Sequence, residues 1–207
     1  GKKKPVIISC GASYAHEVGL ALSWIRDSTQ DIILLQCNTN YTVDPDNIKY
    51  SNLRAMRTMG DKFRVEVGLS DHTWGMTAIH GAVALGACLI ERHFTDDNER
   101  LGPDHGFALD PLDWELMVSF TRDLEQALGN GEKEVEDNER ESRIVQRRCL
   151  RARRTLSLGD TISWDDVDIL RPAPVNSLEP NARSSIIGRP IMCQIEKGEH
   201  FTWGNVG

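Results

Sequence analysis

The sequence predicts an α/β protein with a parallel sheet, followed by a small and irregular β domain. Three observations lead to this class. Short apolar runs alternate with stretches of helical periodicity through the first 130 residues. Polar residues follow several apolar runs, at the points where strands would end. A charged segment then separates this region from a tail whose short runs are interrupted by Gly and Pro.

Two buried strands are expected near the start of the chain. Lys4–Ser9 and Asp31–Gln36 are continuous apolar runs of the kind found in strands buried on both faces. Gly11 breaks the first run before a helix expected over Ala15–Asp27. The polar loop Cys37–Thr42 follows the second strand, and loops at such positions commonly carry binding groups.

Two further strand–helix units complete the predicted sheet. A helix is expected from Asp46 to Gly60, a third strand over Phe63–Leu69 and a fourth over Ala87–His93. Thr77–Ala87 is small and apolar enough to form a tightly packed helix between the last two strands. Because a strand–helix–strand connection joins parallel neighbours, the third and fourth strands should lie side by side.

A long polar loop, Thr95–Asp110, precedes the last helix of this region. Asp110 is a predicted N-cap, and Pro111 suits the first helical position. The helix should end before Gly129. Its apolar stripe has a spacing of three to four residues, at Trp114, Met117, Phe120, Leu124 and Leu128.

A charge-rich linker at residues 131–145 marks the predicted boundary between a domain at 1–130 and a β domain at 146–207. Short runs such as Val167–Leu170 and Ile186–Ile191 predict short strands, and Gly159 and Gly198 fit turns. About 60 residues are near the lower limit for an independent core. We therefore expect this second domain to be small and rich in turns.

Two histidines follow the third and fourth strands with the same spacing. Ser70 and His72 share one face of a strand, and Glu91 and His93 share one face of the next, because side chains alternate. Adjacent parallel strands would bring both imidazoles together. Such a pair suits a divalent metal with open positions for a substrate. On spacing alone, hydrogen-bonded histidines at the rim of a core are an equal interpretation.

The composition argues against nucleic-acid binding and membrane insertion. The 207 residues hold 24 Lys and Arg against 31 Asp and Glu, for a net charge of -7, and no basic stripe is interleaved with aromatics. The arginine cluster Arg147–Arg154 resembles a nucleic-acid or phosphate site, but in an acidic chain it is better interpreted as a solvated face or as salt-bridged to the preceding Glu-rich connector. No apolar run approaches the roughly 20 residues of a membrane helix. The five dispersed cysteines indicate reduced thiols, and we expect a cytoplasmic protein without a signal peptide.

Motifs spread over nearly the whole chain resemble the sialic acid synthases, a family of phosphoenolpyruvate-dependent nonulosonate synthases. The motifs are Lys4–Gly11, Leu34–Tyr41, Gly68–Thr73, Ala82–Ala87, Ile90–Thr95 and Gly102–His105. The tail is similar to the family's antifreeze-like (SAF) domain at Gly159–Asp160, Leu170–Pro172 and Ile187–Gly188.

The resemblance implies a TIM barrel followed by a β-clip SAF domain. A complete barrel has eight strands, whereas four units precede the linker here, and they match the last four, strands 5–8. The chain is therefore expected to be the C-terminal half of a synthase. In the family, the lysines, serine and glutamate that hold the phosphate of phosphoenolpyruvate come largely from the first four strands.

The resemblance also implies a reaction and a metal. Family members condense phosphoenolpyruvate with an N-acetylated hexosamine, typically N-acetylmannosamine, with Mn²⁺ or Mg²⁺ as a Lewis acid. By motif, His72 and His93 are the metal ligands and Ser70 contacts phosphoenolpyruvate. Glu91 and Asp71 are the candidate catalytic carboxylates. A turn cap is an alternative interpretation of Ser70, and a salt bridge with Arg92 or a lysine is an alternative for Glu91.

The remaining implied residues bind the sugar. Asp104 matches a hydroxyl-binding aspartate, although an aspartate in a Gly-Pro turn is otherwise a turn former. Tyr41, Thr39 and Asn40 lie in the substrate loop. Arg171 matches an arginine that enters the neighbouring subunit of a swapped homodimer, although a lone arginine is more often solvated. A non-catalytic sugar-binding or assembly module remains the alternative function, since a half barrel leaves strand edges and an apolar interior exposed.

Overall fold

The computed structural model describes residues 4–207. The chain divides into two compact units, with the boundary at Gly131. Each unit has a hydrophobic core of its own, built from buried residues of that unit alone.

The first unit contains a four-stranded parallel sheet whose strands follow chain order. The strands are β1 (Val6–Ser9), β2 (Ile32–Cys37), β3 (Glu66–Asp71) and β4 (Leu89–Arg92). Each strand pairs in parallel with the next. Because parallel crossovers are right-handed, an unbroken order places all the connecting helices on one face. This is the arrangement of a β/α barrel wall, and a doubly wound sheet would reverse its order.

Four helices accompany the strands: α1 (Ala15–Arg26), α2 (Leu53–Phe63), α3 (Thr77–Ala84) and α4 (Pro111–Leu128). They pack over alternate strand residues, with Leu22 of α1 against Leu34 and Met56 of α2 against Leu69. Asp110 caps α4 as predicted, because its carboxylate accepts from the Asp113 amide at 2.8 Å. No helix within residues 4–207 combines the length and the apolar character needed to cross a membrane.

The helix predicted from Asp46 to Gly60 is wrong at both ends. A 3₁₀ helix at Pro45–Tyr50 comes first, and Asn52, with φ of 46°, interrupts the chain before α2. Gly60 lies inside α2, where a Cβ atom would come 2.9 Å from a Val67 methyl. The glycine therefore allows α2 to approach β3 closely, and the helix continues for one more turn.

The face of the sheet opposite the helices is only partly covered. Ile7 of β1 is 51% exposed there, whereas Leu35 of β2 is fully buried. Parallel sheets normally bury both faces. This face leads at its C-terminal end to Ser70, His72, Glu91 and His93, because side chains alternate along β3 and β4.

The second unit is an irregular β structure. Helix α5 (Arg140–Gln146) and a 3₁₀ turn at Asp137–Glu139 occupy the predicted linker. Strands β5 (Cys149–Ala152) and β6 (Val167–Leu170) pair antiparallel, and a short helix α6 (Arg183–Ile186) follows. Isolated antiparallel bridges, such as Leu156 to Ile195, complete the unit. Its core consists of Leu150, Ala152, Leu156, Ile162, Val167, Leu178, Ile186, Ile191, Ile195, Phe201 and Val206.

Candidate active site

His72 and His93 lie together at the C-terminal ends of β3 and β4. Their ring centroids are 5.0 Å apart, with an angle of 75° between the ring planes. Asp71 of β3 pairs with Arg92 of β4. The residues that follow them, His72 and His93, therefore lie at the same level of the sheet. His72 is buried, and the side chain of His93 is 30% exposed. The pair is therefore packed within the unit on one side and accessible on the other.

The Nδ1 atom of each histidine is directed to an acceptor. His72 Nδ1 lies 3.0 Å from the carbonyl oxygen of Asn38, and His93 Nδ1 lies 3.6 Å from Oδ2 of Asp104. A carbonyl oxygen only accepts, so His72 carries its proton on Nδ1 in this contact. Its Nε2 atom is then the unprotonated nitrogen. This is the arrangement by which proteins orient metal-binding histidines.

Two aromatic rings surround the histidine pair. Tyr41 lies with its ring centroid 4.2 Å from that of His72 and 5.7 Å from that of His93. Phe107 lies 5.2 Å from His93. The tyrosine was expected in a substrate loop, and the structure places it in direct contact with both histidines. These rings restrict the imidazoles and limit the access of water to them.

Ser70 and Glu91 form a second pair beside the histidines. The Ser70 hydroxyl donates to Oε1 of Glu91 at 2.8 Å. The expected alternatives for Glu91, an ion pair with Arg92 or a lysine, are not what the structure shows, since Arg92 pairs elsewhere. Ser70 is buried and Glu91 is exposed. The carboxylate is therefore held at one oxygen while its other oxygen remains accessible.

Asp71 does not join this cluster. Its side chain points to the opposite face of β3 from Ser70 and His72, because strand side chains alternate. There Arg92 Nη1 donates to its Oδ2 at 2.6 Å, and the Thr73 hydroxyl donates to its Oδ1 at 2.9 Å. Arg92 also donates to the Phe107 carbonyl at 2.6 Å. Asp71 is thus part of a buried ion pair that ties β3, β4 and the following loop together, and not an accessible carboxylate.

The loop that carries Asp104 is fixed at several points. Asn98 donates to the carbonyls of His105 and Ala108, both at 2.9 Å. The Leu109 amide donates to the His93 carbonyl at 2.9 Å. Asp104 itself has φ of 72°, a left-handed conformation that aspartate tolerates. The loop thereby brings Asp104 next to His93.

Thr39 and Asn40 lie further along the loop after β2. The Thr39 methyl packs against Gly11. The Asn40 amide donates to Oδ1 of Asn47 at 3.0 Å, and Asn47 in turn donates to the Asn40 carbonyl at 3.2 Å. These contacts order the loop and engage part of the hydrogen-bonding capacity of Asn40. Neither residue has a contact with the histidine pair in the described structure.

Arg171 belongs to the second unit. Its Nη1 atom donates to Oε1 of Gln146 at 3.1 Å, and the side chain is exposed. It directly follows β6. The structure therefore presents Arg171 at the surface of its own unit, at the end of a strand.

The surroundings favour the neutral forms of His93 and Cys37. Burial lowers the pKa of His93, and the nearby His72 lowers it further, while Asp104 opposes both. Burial also raises the pKa of Cys37, whose sulfur lies 3.7 Å from His72 Nδ1. A neutral imidazole is the form that binds a metal. The lowered pKa of His93 thus favours the form of this imidazole that binds a cation.

The residues present fit a divalent metal with two protein ligands. Within residues 4–207, no group of three or more His, Cys, Asp or Glu side chains is placed to hold one. His72 and His93 are the residues of this site that could hold a metal, with oxygen atoms from substrate or water in the other positions. Oxygen donors suit Mn²⁺ and Mg²⁺, and a site with two protein ligands leaves positions open for exchange.

Three contributions to the site have little signal in the sequence. The Asn38 carbonyl orients His72 through the backbone, which no residue type reveals. Phe107 closes one side of the pair, and its place in a largely polar loop gives little indication of this role. The sequence predicts Cys37, which contacts His72, only as the first residue of the loop after the second strand.

A sheet of four parallel strands in chain order, with its polar cluster at the C-terminal ends, fits part of a TIM-barrel enzyme. The fold matches a solved structure, a spore coat polysaccharide biosynthesis protein E from Chromobacterium violaceum, with a TM-score of 0.68 and 21% identity. The match covers 100% of this chain and 61% of that one. It supports the fold alone.

Sequence comparison identifies the family. The family model described as NeuB family matches residues 1–133, and the chain belongs to this family. It is 38% identical to the N,N'-diacetyllegionaminic acid synthase of Legionella pneumophila, covering 99% of this chain and 58% of the relative. It is 33% identical to a pseudaminic acid synthase of Campylobacter jejuni, covering 96% and 56%. The chain thus spans between half and two thirds of the length of these relatives.

Proposed function

We propose that this chain provides the metal-binding, sugar-side part of a nonulosonic acid synthase. The reaction condenses phosphoenolpyruvate with the open-chain aldehyde of an N-acetylated hexosamine and releases phosphate. The observation that carries the proposal is the histidine pair, with ring centroids 5.0 Å apart and with both Nδ1 atoms directed to acceptors. Membership of a family whose relatives are sialic, legionaminic and pseudaminic acid synthases supports it.

The residues at the strand ends have defined roles in this proposal. His72 and His93 hold Mn²⁺ or Mg²⁺, which would supply Lewis-acid polarisation of the sugar aldehyde. Ser70 binds phosphoenolpyruvate, and its hydrogen bond fixes Glu91. Glu91 then serves as the proton acceptor, because its second oxygen is accessible. Asp71 has a positioning role only, since it holds Arg92 and the end of β3.

The sugar is proposed to lie against Tyr41, with Asp104 accepting hydrogen bonds from its hydroxyl groups. Thr39 and Asn40 shape the loop that carries Tyr41. The second unit is proposed to be a SAF domain, and its Arg171 to enter the site of a neighbouring subunit in a swapped homodimer in the cytoplasm. The exposed guanidinium at a strand end supports this role for Arg171.

The sugar is proposed to be of the N-acetylmannosamine type. The Legionella pneumophila relative is named for a product with two N-acetyl groups. A diacetamido hexose is therefore the first variant to compare with N-acetylmannosamine itself.

Phosphate release from the purified chain tests the proposal, with phosphoenolpyruvate, either sugar and Mn²⁺. We expect His72→Ala to abolish release, whereas His16→Ala, an exposed histidine of α1, should retain it. Release that persists in His72→Ala would contradict the assigned metal site. Absence of release with both sugars would contradict catalysis by this chain on its own.

A non-catalytic assembly module is the second candidate, and a specific observation favours it. Ile7 of the sheet, Trp24 of α1 and Phe120 of α4 are all at least half exposed. Such apolar surface is typical of an interface. Under this alternative the chain would bind a sugar or a protein partner without turnover. Sugar binding by calorimetry in the absence of phosphate release would favour it.

A further inference from the structure

A cavity with a cationic rim lies within the second unit. It has a volume of about 570 Å³ and is bounded by α5 on one side and the segment 173–179 on the other. Arg140, Arg143, Arg147 and Arg148 line the first side, and Pro174 and Val175 line the second. We call it the arginine cavity. Its volume is within the range of small-molecule sites.

Two of the arginines reach the cavity from α5, and the other two directly follow its C-terminal end. Arg140 and Arg143 stand at positions i and i+3 on one face of the helix, and Arg147 is the extended C-cap residue. Ile144 lies on the same face. A helix that packs on its own domain usually turns an apolar stripe inward and its charges outward. Here the stripe that faces the cavity is mostly cationic.

Only part of the positive charge at the arginine cavity is paired with carboxylates. Arg140 pairs with Asp137 at 2.6 Å, and Arg147 pairs with Glu179 at 2.8 Å. Arg143 and Arg148 have no ion-pair or hydrogen-bond partner among residues 4–207. Two guanidinium groups therefore remain available at the rim of the cavity.

The arginines at positions 151, 153 and 154 each have a hydrogen-bond or ion-pair partner within the second unit. Arg153 pairs with Asp168 at 2.7 Å, and Arg154 pairs with Asp166 at the same distance. Arg151 donates to the backbone carbonyls of Gly198 and Pro172, both at 2.6 Å. Arg153 and Arg154 are thus salt-bridged, although to Asp168 and Asp166 and not to the preceding Glu-rich connector, whereas Arg151 binds backbone carbonyls only. Arg143 and Arg148 are exposed and remain beside the cavity as cations that are unpaired within the described part of the chain.

Helix α5 is weak without a counter-charge. It has seven residues, and helices of this length are marginal in water. Like charges three and four residues apart weaken a helix further. A bond of 2.8 Å from the Ala173 amide to the Ile144 carbonyl connects α5 to the facing wall. An anion between the arginines would offset their repulsion and strengthen this contact.

We propose that the arginine cavity binds a small ligand with a phosphate or carboxylate group and an apolar body. Guanidinium groups bind either anion with paired N–H donors. Ile144, Pro174 and Val175 supply the apolar contacts. The proposal shares no residue with the histidine site and does not depend on the proposed synthase activity.

Calorimetry on the full chain, in metal-free buffer, tests this site with inorganic phosphate, phosphoenolpyruvate and N-acetylneuraminate as probes. The variant carries Arg143→Gln and Arg148→Gln. The control is Arg122→Gln on α4, which makes the same kind of substitution once, at an exposed pair with Glu125. Far-ultraviolet circular dichroism checks that each variant is folded.

We expect at least one probe to bind, with affinity that falls at least about tenfold in the double variant and within about twofold in the control. Raised ionic strength should weaken binding. Binding of both phosphate compounds but not of the acid sugar would assign the ligand as a phosphate, and the reverse would assign a carboxylate. Failure of all three probes to bind, or equal binding by the double variant, would overturn the proposal.

Discussion

His72 and His93 are held by two different kinds of acceptor. A backbone carbonyl fixes His72, whereas the carboxylate of Asp104 lies beside His93. A substitution cannot remove the backbone carbonyl of Asn38, whereas it can remove the carboxylate of Asp104. A metal bound by the two Nε2 atoms should therefore depend strongly on each imidazole and less strongly on Asp104, since second-sphere partners mainly orient the ligand.

Substitution of one ligand tests this arrangement without any turnover. We expect His93→Ala to lower the affinity for Mn²⁺ by at least about 100-fold, because a single imidazole with oxygen donors does not make a stable site. Asp104→Asn should cost about tenfold. Mn²⁺ binding followed by electron paramagnetic resonance measures both affinities, and His16→Ala serves as the control. Equal affinity in His93→Ala and the unchanged chain would rule out the histidine pair as the metal site.

Asp71 and Arg92 form an ion pair with side chains that are almost fully buried. Burial raises the pKa of Asp71, and the charge of Arg92 with the Thr73 hydrogen bonds opposes that rise. Removing one member of a buried pair leaves an uncompensated charge. We expect Arg92→Met to lower the free energy of unfolding by about 3–5 kcal/mol, as measured by urea titration.

The double variant separates the contribution of the ion pair to stability from the other effects of each substitution. Arg92→Met combined with Asp71→Leu should recover much of the stability, because apolar residues can replace a buried pair at little cost. Arg122→Met, at an exposed pair on α4, should cost less than about 1 kcal/mol. Additive effects of the two substitutions at positions 71 and 92 would show that the ion pair itself contributes nothing.

At the residue scale, the sequence predicts which side chains share a face of a strand better than it predicts their hydrogen-bond partners. The two-residue period places Ser70 with His72 and Glu91 with His93, and the structure shows this grouping. The same period places Asp71 on the other face, although its motif suggested a catalytic role. The contact of His72 with the Asn38 carbonyl depends on the path of the loop after β2, which no local pattern specifies.

At the element scale, the sequence predicts all four parallel strands, the first two from continuous apolar runs of the kind that suit strands buried on both faces. The third strand begins at Glu66 and not at Phe63, which is the last residue of α2. Helix ends are predicted less well. The sequence predicts that Gly60 ends a helix. In the structure Gly60 lies within α2, where the absence of a side chain allows Val67 to pack closely against it. The second unit has only two short strands, and isolated bridges hold the rest. These bridges join residues distant in sequence and leave no periodic pattern.

The turn before β6 contains a buried carboxylate with a pH-dependent role. Burial raises the pKa of Asp166, but the hydrogen bonds from Ser163 and Arg154 outweigh that effect, so the pKa lies below its usual value. A lowered folded-state pKa stabilises the protein above the unfolded value of about 3.9. That stabilisation is lost as the pH falls through the folded-state pKa.

Asp166→Asn should therefore lower the free energy of unfolding at pH 7 by about 1.5–3 kcal/mol, the value of hydrogen bonds to a charged group. The difference from the unchanged chain should shrink as the pH falls below about 4. Urea unfolding of both proteins between pH 3 and pH 7 measures it. Asp165→Asn, an exposed neighbour in the same 3₁₀ turn, is the matched control. A difference that is independent of pH would contradict this assignment.

On the scale of the whole chain, the first unit leaves apolar surface uncovered on its outer elements. Leu20 and Trp24 lie one turn apart on α1, and both are more than half exposed. Leu112, Leu116 and Phe120 repeat every four residues on α4 and are exposed as well. These two helices accompany the first and last strands of the sheet. The exposed apolar stripes therefore lie on the helices beside the two edges of the open sheet, where another protein surface could pack against them.

We expect this surface to drive association. Sedimentation velocity should show a mass that rises with protein concentration, because exposed apolar stripes of this kind associate in water. Leu116→Glu with Phe120→Glu should shift the chain toward the monomer by placing charges within the α4 stripe. Leu101→Glu is the matched control, since Leu101 is 99% exposed in a loop away from any stripe. A monomer at every concentration before substitution, or an unchanged distribution in the double variant, would show that the α4 stripe is not an interface.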